Sequence, residues 1–401
     1  MILTRYVGAA VCARLADEGA RVSILLLALD RTGDEALGGL LIAALMVPHV
    51  LAAPVTGALA DAARSRRLLY FLAFLGYAGA LLAGAELIGH STAASVVLLV
   101  LAGCCAPLLI GGLSSLLGDL APGRLERAFG FDVMSYSIAG IAGPALAAVV
   151  ADLAGASWSV TALVALVVAG ALLVVSLPLP AGRSSAPSGE RRRFRIESPL
   201  AGVVVMVRRP RLGAVTLGTI FSMLGVGALP LVAALLADEA GRSELTGLTL
   251  SAGAAGGLLT SLVLTRWPIR RWSPESVVAV SLAATAVPFF LLTLLPPGWA
   301  GLPLFAVAGA LGVPVSVAVF AVRDQESPPE IRTQVFTLGA GVKVTAAATG
   351  AAVAGLAADA GIVALLVGIG VCQALGAVAV VLVGRVTPAR PPAASIVSQA
   401  N

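Results

Sequence analysis

The sequence predicts an all-α membrane protein of twelve transmembrane helices in two pseudo-symmetric six-helix halves. Three observations predict it. Of the 401 residues, 59% are hydrophobic and only 12% charged, with a mean hydropathy of +1.00; an average soluble protein carries about 25% charged residues. The apolar residues gather into twelve runs, most of them meeting the roughly 17–25 residues that a helix needs to cross a bilayer. Part of the chain also lies over itself when shifted by 207 residues.

In chain order the runs are 6–29, 36–60, 68–88, 93–117, 128–151 and 158–177, then 212–236, 245–264, 277–295, 301–322, 335–358 and 362–383. The first run is too long for the core of a cleavable signal and has only one arginine before it, so it is expected to stay as a span. It is also the least apolar. Arg14, Asp17, Glu18 and Arg21 follow an i, i+3, i+4, i+7 pattern that puts all four on one helical face. A charge facing lipid at mid-bilayer costs roughly 2.5–3.5 kcal/mol, so this face must look onto protein or a watery cavity. Arg14–Glu18 and Asp17–Arg21 are spaced as i, i+4 pairs.

The connections orient the spans. Of 23 arginines in loops and termini, 21 fall on the side that holds both chain ends, and only Arg31 and Arg242 on the other. Positive loops face the cytoplasm, which places both termini there. Reporters fused after Gly182 and Arg390 are therefore expected to be cytoplasmic, and one after Asp238 external. Opposite assignments in a fusion assay would end the twelve-span topology.

The organisation that follows is an N-terminal half at 1–180, a cytoplasmic linker at 181–211, a C-terminal half at 212–385 and a disordered cytoplasmic tail at 386–401. The linker's end reads as a short surface helix. Ser198 caps it, Pro199 suits its first position, and Leu200, Val203, Val204 and Val207 form an apolar stripe. Arg208 and Arg209 beside that stripe suit an anionic leaflet.

Other classes are excluded by what is missing. The four cysteines all lie in apolar runs, and no His or Cys set has metal-ligand spacing. No nucleotide-binding motif and no nucleophile–base pair appears, so neither an enzyme nor a cofactor or metal is expected. The basic character comes from membrane-side arginines rather than from a nucleic-acid surface. The partners expected are a small-molecule substrate, protons and the bilayer, with the chain acting as a monomer.

In the repeat, 122–152 meets 329–359 without a gap, so that Pro122/Pro329, Phe129/Phe336, Gly143/Gly350, Ala147/Ala354 and Asp152/Asp359 coincide. The same shift sets Pro107 on Pro314 and Tyr136 on Lys343. Parallel six-helix repeats put a substrate site between the halves near the midplane.

Two motifs then carry a resemblance. Between spans two and three stands GALADAARSRRLL, which matches the loop signature G-x-L-A-D-R-x-G-R-K-x-x-L at Gly57, Leu59, Ala60, Asp61, Arg66 and Leu69. Gly57 permits close helix approach, and Asp61 can accept charged hydrogen bonds at a helix end. Span five carries a degenerate antiporter signature at Gly130, Ala139, Gly143, Pro144, Ala147 and Ala148. In these features the chain resembles the major facilitator superfamily over nearly its whole length, and bacterial exporters of the enterobactin-exporter or drug-efflux type in particular. The resemblance implies the major facilitator fold and export. It also marks a departure, because the arginine often found in span four of such exporters is absent, so any proton relay would run through the first span.

Spans one and eleven line the central cavity in that superfamily, which lets Lys343, the chain's only lysine, face the charged stripe. In one reading Asp17 or Glu18 accepts the coupling proton, while Arg14, Arg21 and Lys343, with Tyr136, bind an anionic substrate group. In the other the charges form a static network. Asp132, one turn before Tyr136, is read as a gate contact or a helix-end residue, alongside Gly57, Asp61 and Arg66. The leading functional expectation is proton-coupled export of a small organic molecule such as a drug, natural product or siderophore. The alternatives are an importer of an anionic metabolite and a non-transporting membrane receptor.

Overall fold

Apolar stretches rich in Ala, Leu and Val satisfy their backbone groups within the stretch, and in a bilayer the helix is the form that does so. The computed structural model describes residues 2–179, 200–242, 244–269 and 271–385. The Ser198–Pro199 cap, most of the linker and the 386–401 tail lie outside the described residues.

The N-terminal membrane helices are α1 (Ile2–Thr32), α2 (Glu35–Ala62), α3 (Arg66–Glu86), α4 (Thr92–Leu120), α5 (Leu125–Ala154) and α6 (Ala156–Val175). The C-terminal ones are α7 (Pro210–Glu239), α8 (Glu244–Arg266), α9 (Pro274–Leu292), α10 (Leu302–Glu326), α11 (Arg332–Leu356) and α12 (Gly361–Arg385). Side chains of Asp34, Ser65, Ser91 and Ser273 cap α2, α3, α4 and α9 by accepting a backbone N–H of the first turn. Among the described residues, eleven helices are long and apolar enough to cross a membrane. The twelfth, α1, falls short only because of its charges. It is 31 residues long and packs along α5 and α6 as a full member of the bundle.

The repeat is visible in the packing. In the first half α1 packs on α5 and α6, α2 on α4, and α3 on α4 and α6. Adding six to each number gives the pairings of the second half. Glycines allow the closest of these contacts. A Cβ at Gly143 would come 2.8 Å from the Leu15 carbonyl of α1, and one at its repeat partner Gly350 would strike the Leu224 carbonyl of α7.

Two spans depart from regular helix. In α4 the residues after Pro107, Leu108–Gly112, form a π-helical turn, a feature often found at functional sites. The apolar run 212–236, expected as one helix, divides into Pro210–Val226 and Leu229–Glu239. Pro230 has no N–H for the ladder there, and Gly227 is pressed against the Ala347 carbonyl of α11.

The halves meet mainly along α2/α11 and α5/α8, which exchange places under the repeat, with further contacts of α11 to α4 and α10 to α5. Gly57 against Gln334, Gly111 against Phe336 and Gly130 against Thr265 all lie within about three turns of one end, the end with the arginine-rich loops. The halves are thus closed together at this basic end. The surface helix Ala201–Arg208 docks there through its buried Gly202 and Met206. The Gly202 N–H donates to Gln334 Oε1 at 2.7 Å, and the expected stripe of Leu200, Val203, Val204 and Val207 is turned outward.

Candidate substrate and proton sites

The four charges of α1 separate into two sites. Arg14 does not pair with Glu18. It reaches across to α5, where its Nη2 lies 2.8 Å from Asp132 Oδ1, with both side chains at most 1% exposed. The spacing along α1 offered Glu18, but the interior offers a deeper and more complete partner set. Arg14 also donates to the Asp132 carbonyl, to Ser135 Oγ and to Ser114 Oγ. Asp132 accepts from the hydroxyls of Tyr6 and Ser114. Asp132, expected at a helix end or as a gate contact, is therefore the centre of a buried polar core within the N-terminal half. Ser114 and Ile110 of α4 are part of that core, so the guanidinium beside α4 is supplied by α1.

Asp17, Glu18 and Arg21 form the second site. Arg21 spans both acids, Nη1 at 2.8 Å from Glu18 Oε2 and Nη2 at 3.1 Å from Asp17 Oδ2. The expected Asp17–Arg21 pair is present, and Glu18 takes the i, i+3 position in place of Arg14. Tyr77 of α3 donates to Asp17. Glu18 and Arg21 remain about one-third exposed, so this group meets water where the Arg14 core does not. His49 of α2 is buried with an unpartnered Nε2 in the field of Asp17 and Arg21. Sequence reading missed it, and its only signal was a lone histidine inside an apolar run.

A cavity of about 370 Å³ lies between the halves, mostly within the second. Phe289, Phe305, Phe320 and Met223 make apolar walls, while Tyr136, Ser137, Lys343 and Gln373 bring polar groups. Lys343 Nζ sits 5.9 Å from the Tyr136 ring centroid, and Arg14 covers that ring at 3.6 Å. Lys343 thus approaches Arg14 across Tyr136 rather than the Asp17–Glu18–Arg21 group. Among the described residues it has no acidic partner. Gln373 donates to the Ser222 carbonyl at 3.2 Å and leaves its Oε1 without a partner. Toward the basic end the cavity is sealed by Phe129, Phe320 and Phe336, with ring centroids 5.8–6.4 Å apart. Phe129 and Phe336 are repeat partners, as are Tyr136 and Lys343, so the pseudo-twofold axis runs through both pairs.

At the basic end the loop signature joins the two halves. Asp61 accepts the N–H groups of Thr333 and Gln334 at 3.0 and 2.9 Å, capping α11 of the other half. Arg66 lies 3.6 Å from Asp61 and 2.9 Å from Asp119. Arg332 continues the chain of charges to Asp119 and Asp324, at 3.8 and 3.5 Å. Asp119, Asp324 and Arg332 were not legible as site residues, because their meeting depends on the approach of the two halves. Gly130 of the antiporter-like signature faces Thr265 across the α5/α8 seam, whereas Gly143 faces α1. Pro144 lies within α5.

These features agree with the match of the chain to a family model. Residues 7–351 match the model of the Major Facilitator Superfamily. The chain belongs to that superfamily. It is 27% identical over 385 residues to the uncharacterized MFS-type transporter y4rN of Sinorhizobium fredii (strain NBRC 101917 / NGR234), covering 92% of each chain. Among solved structures it is similar to a bacterial homologue of the iron transporter ferroportin in the outward-facing state, with a TM-score of 0.75 and 17% identity over 96% of this chain and 100% of that one. It is also similar to the human organic anion transporter MFSD10 (TETRAN), with a TM-score of 0.72 and 20% identity over 95% and 100%. At these identities the two structures establish a shared fold. As a member of the major facilitator superfamily the chain is a multi-pass membrane transporter.

Proposed function

We propose that this transporter is a proton-coupled exporter of a small organic molecule bearing an anionic group, such as a drug, natural product or siderophore. It works as a monomer in the bacterial cytoplasmic membrane, with its basic end inward. The observation that carries the reading is Lys343, a cation with no acidic partner among the described residues, on the wall of an aromatic cavity between the halves. A buried cation costs several kcal/mol unless something pairs with it, and a substrate acid group is the partner this site lacks. The aromatic walls favour an organic body on that acid. The organic anion transported by MFSD10, as its name states, supports the substrate class, and the Gly130–Gly143–Pro144 spacing supports export. Import of an anionic metabolite uses the same lysine equally well and is separated by direction.

Protons enter the reading through Asp17 and Glu18. Protonation of either would loosen Arg21 from one side while leaving the other, so the group can change charge without stranding its arginine. The halves then rock about the cavity, closing one end as the other opens.

The test uses reconstituted vesicles with set pH gradients and a panel of organic anions. Lys343→Gln is expected to raise the half-saturating concentration by about tenfold, the loss of one charge-assisted contact. Asp17→Asn and Glu18→Gln are expected to leave folding intact, since each leaves Arg21 one carboxylate. The substitution that removes the coupling proton should abolish gradient-driven transport while exchange without a gradient survives. Equal loss of both, with a lowered melting temperature, would show a structural cluster instead. Accumulation in the direction opposite to proton flow identifies export, and accumulation along it identifies import.

A further inference from the structure

A second cavity lies away from the central one. A crevice of about 810 Å³ opens at the basic end, where the α4–α5 and α8–α9 connections approach α10. It lies on the α5/α8 seam, directly outside the Gly130–Thr265 contact between the halves. Its walls run from polar to apolar. Arg124, Arg127 and Arg266 line the mouth, and Phe129, Leu264, Val277, Val317 and Ala321 line the interior. All three arginines are exposed, and among the described residues none has an acidic partner. Arg127 makes only a ring contact, 5.7 Å from Phe131. The two acids on the crevice are engaged elsewhere: Glu126 has its own interaction, and Asp324 pairs with Arg332.

Beside the arginines the α8–α9 connection carries Trp267 and Trp272, 69% and 55% exposed, with Ile269 at 42%. Exposed tryptophans on a water-facing loop have no use for that area. At a membrane interface they sit at headgroup level. Three guanidinium groups without an acidic partner among the described residues, above an apolar channel leading between helices, match a phosphodiester with acyl chains below it.

We propose that this crevice is a binding site for an anionic glycerophospholipid of the surrounding leaflet. The lipid phosphate is held by Arg124, Arg127 and Arg266, and an acyl chain lies along Phe129, Val317 and Ala321. Seated there, the lipid touches both halves and stands next to Asp324 of the charge chain that closes the basic end, so its occupancy favours the closed arrangement. The inference is independent of what the central cavity transports.

The test is lipid retention by the full chain, measured by native mass spectrometry after exchange into detergent containing phosphatidylglycerol or phosphatidylcholine. The wild type is expected to retain phosphatidylglycerol selectively, and the melting temperature to rise with it. Arg124→Gln/Arg127→Gln/Arg266→Gln should retain about tenfold less. A control, Arg5→Gln/Arg64→Gln/Arg67→Gln, removes the same charge at the same end away from the crevice and should retain it normally. Ala321→Trp fills the channel without touching an arginine, and should also lose the lipid. Equal retention by all four proteins would overturn the proposal, as would equal retention of phosphatidylglycerol and phosphatidylcholine by the wild type. If the triple variant does not fold, Ala321→Trp alone decides between these outcomes.

Discussion

Replacing Asp132 with alanine is expected to be among the most destabilising single changes in the molecule. The substitution leaves Arg14 at 1% exposure with only neutral acceptors, Ser114, Ser135 and backbone carbonyls, where a carboxylate stood 2.8 Å away. Breaking a buried pair by removing one partner costs about 3–5 kcal/mol, most of it the penalty of the charge left behind. Tyr6 also loses its acceptor. Thermal unfolding in detergent should show a lower melting temperature and poor recovery. The double change Arg14→Met/Asp132→Leu removes both charges, so it should recover most of the loss. If the double variant is no more stable than the single one, the pair is not what holds α1 to α5.

The second large effect is conformational. Gly57→Leu should prevent closure of the basic end. A Cβ at position 57 would come 2.5 Å from the Gln334 Cα, and it would also press on the Thr337 hydroxyl. Backbone cannot swing aside as a side-chain tip can, so the α2/α11 seam must part. Overpacking of this kind costs about 1–3 kcal/mol, and here it falls on one conformer only. The ratio of open to closed molecules then rises about 5–150-fold. Thr333 is 1% exposed behind this seam and reports on it. With Cys12, Cys104, Cys105 and Cys372 replaced by alanine, a Thr333→Cys probe should react with a charged maleimide faster by that factor in the Gly57→Leu background. Unchanged labelling would mean that the seam absorbs the side chain.

How far the sequence reached follows from which forces are local. Hydropathy and length are local, and they placed the apolar runs; residue identities at fixed spacing placed the repeat and carried the resemblance to the superfamily. The Asp61 contact was also legible, because the loop signature fixes an acid at a helix end. Partner choice was not. Arg14 lies 118 residues from Asp132, and its nearer neighbour Glu18 offered a reasonable pair by spacing alone. Only the packing of α1 on α5, made close by Gly19 and Gly143, decides for the distant acid. The division of α7 at Gly227 was hidden for the same reason. Its cause lies half in Pro230 and half in the Ala347 carbonyl of another helix. The charge chain through Asp119, Arg332 and Asp324 belongs to one arrangement of the halves, and a sequence describes no single arrangement.

The Arg14–Asp132 pair also bears on how the protein is made. During synthesis α1 is complete long before its partner acid exists, and four charges lie at its middle. Each costs about 2.5–3.5 kcal/mol if it must be offered to lipid. Asp17, Glu18 and Arg21 relieve one another within the helix, but Arg14 meets the carboxylate it pairs with in the folded protein only once α5 is translated. The first helix is therefore expected to settle fully in the bilayer only once the fifth can cover Arg14. Insertion of this half is then expected to be cooperative, and truncation before Asp132 to weaken the hold of α1 in the bilayer.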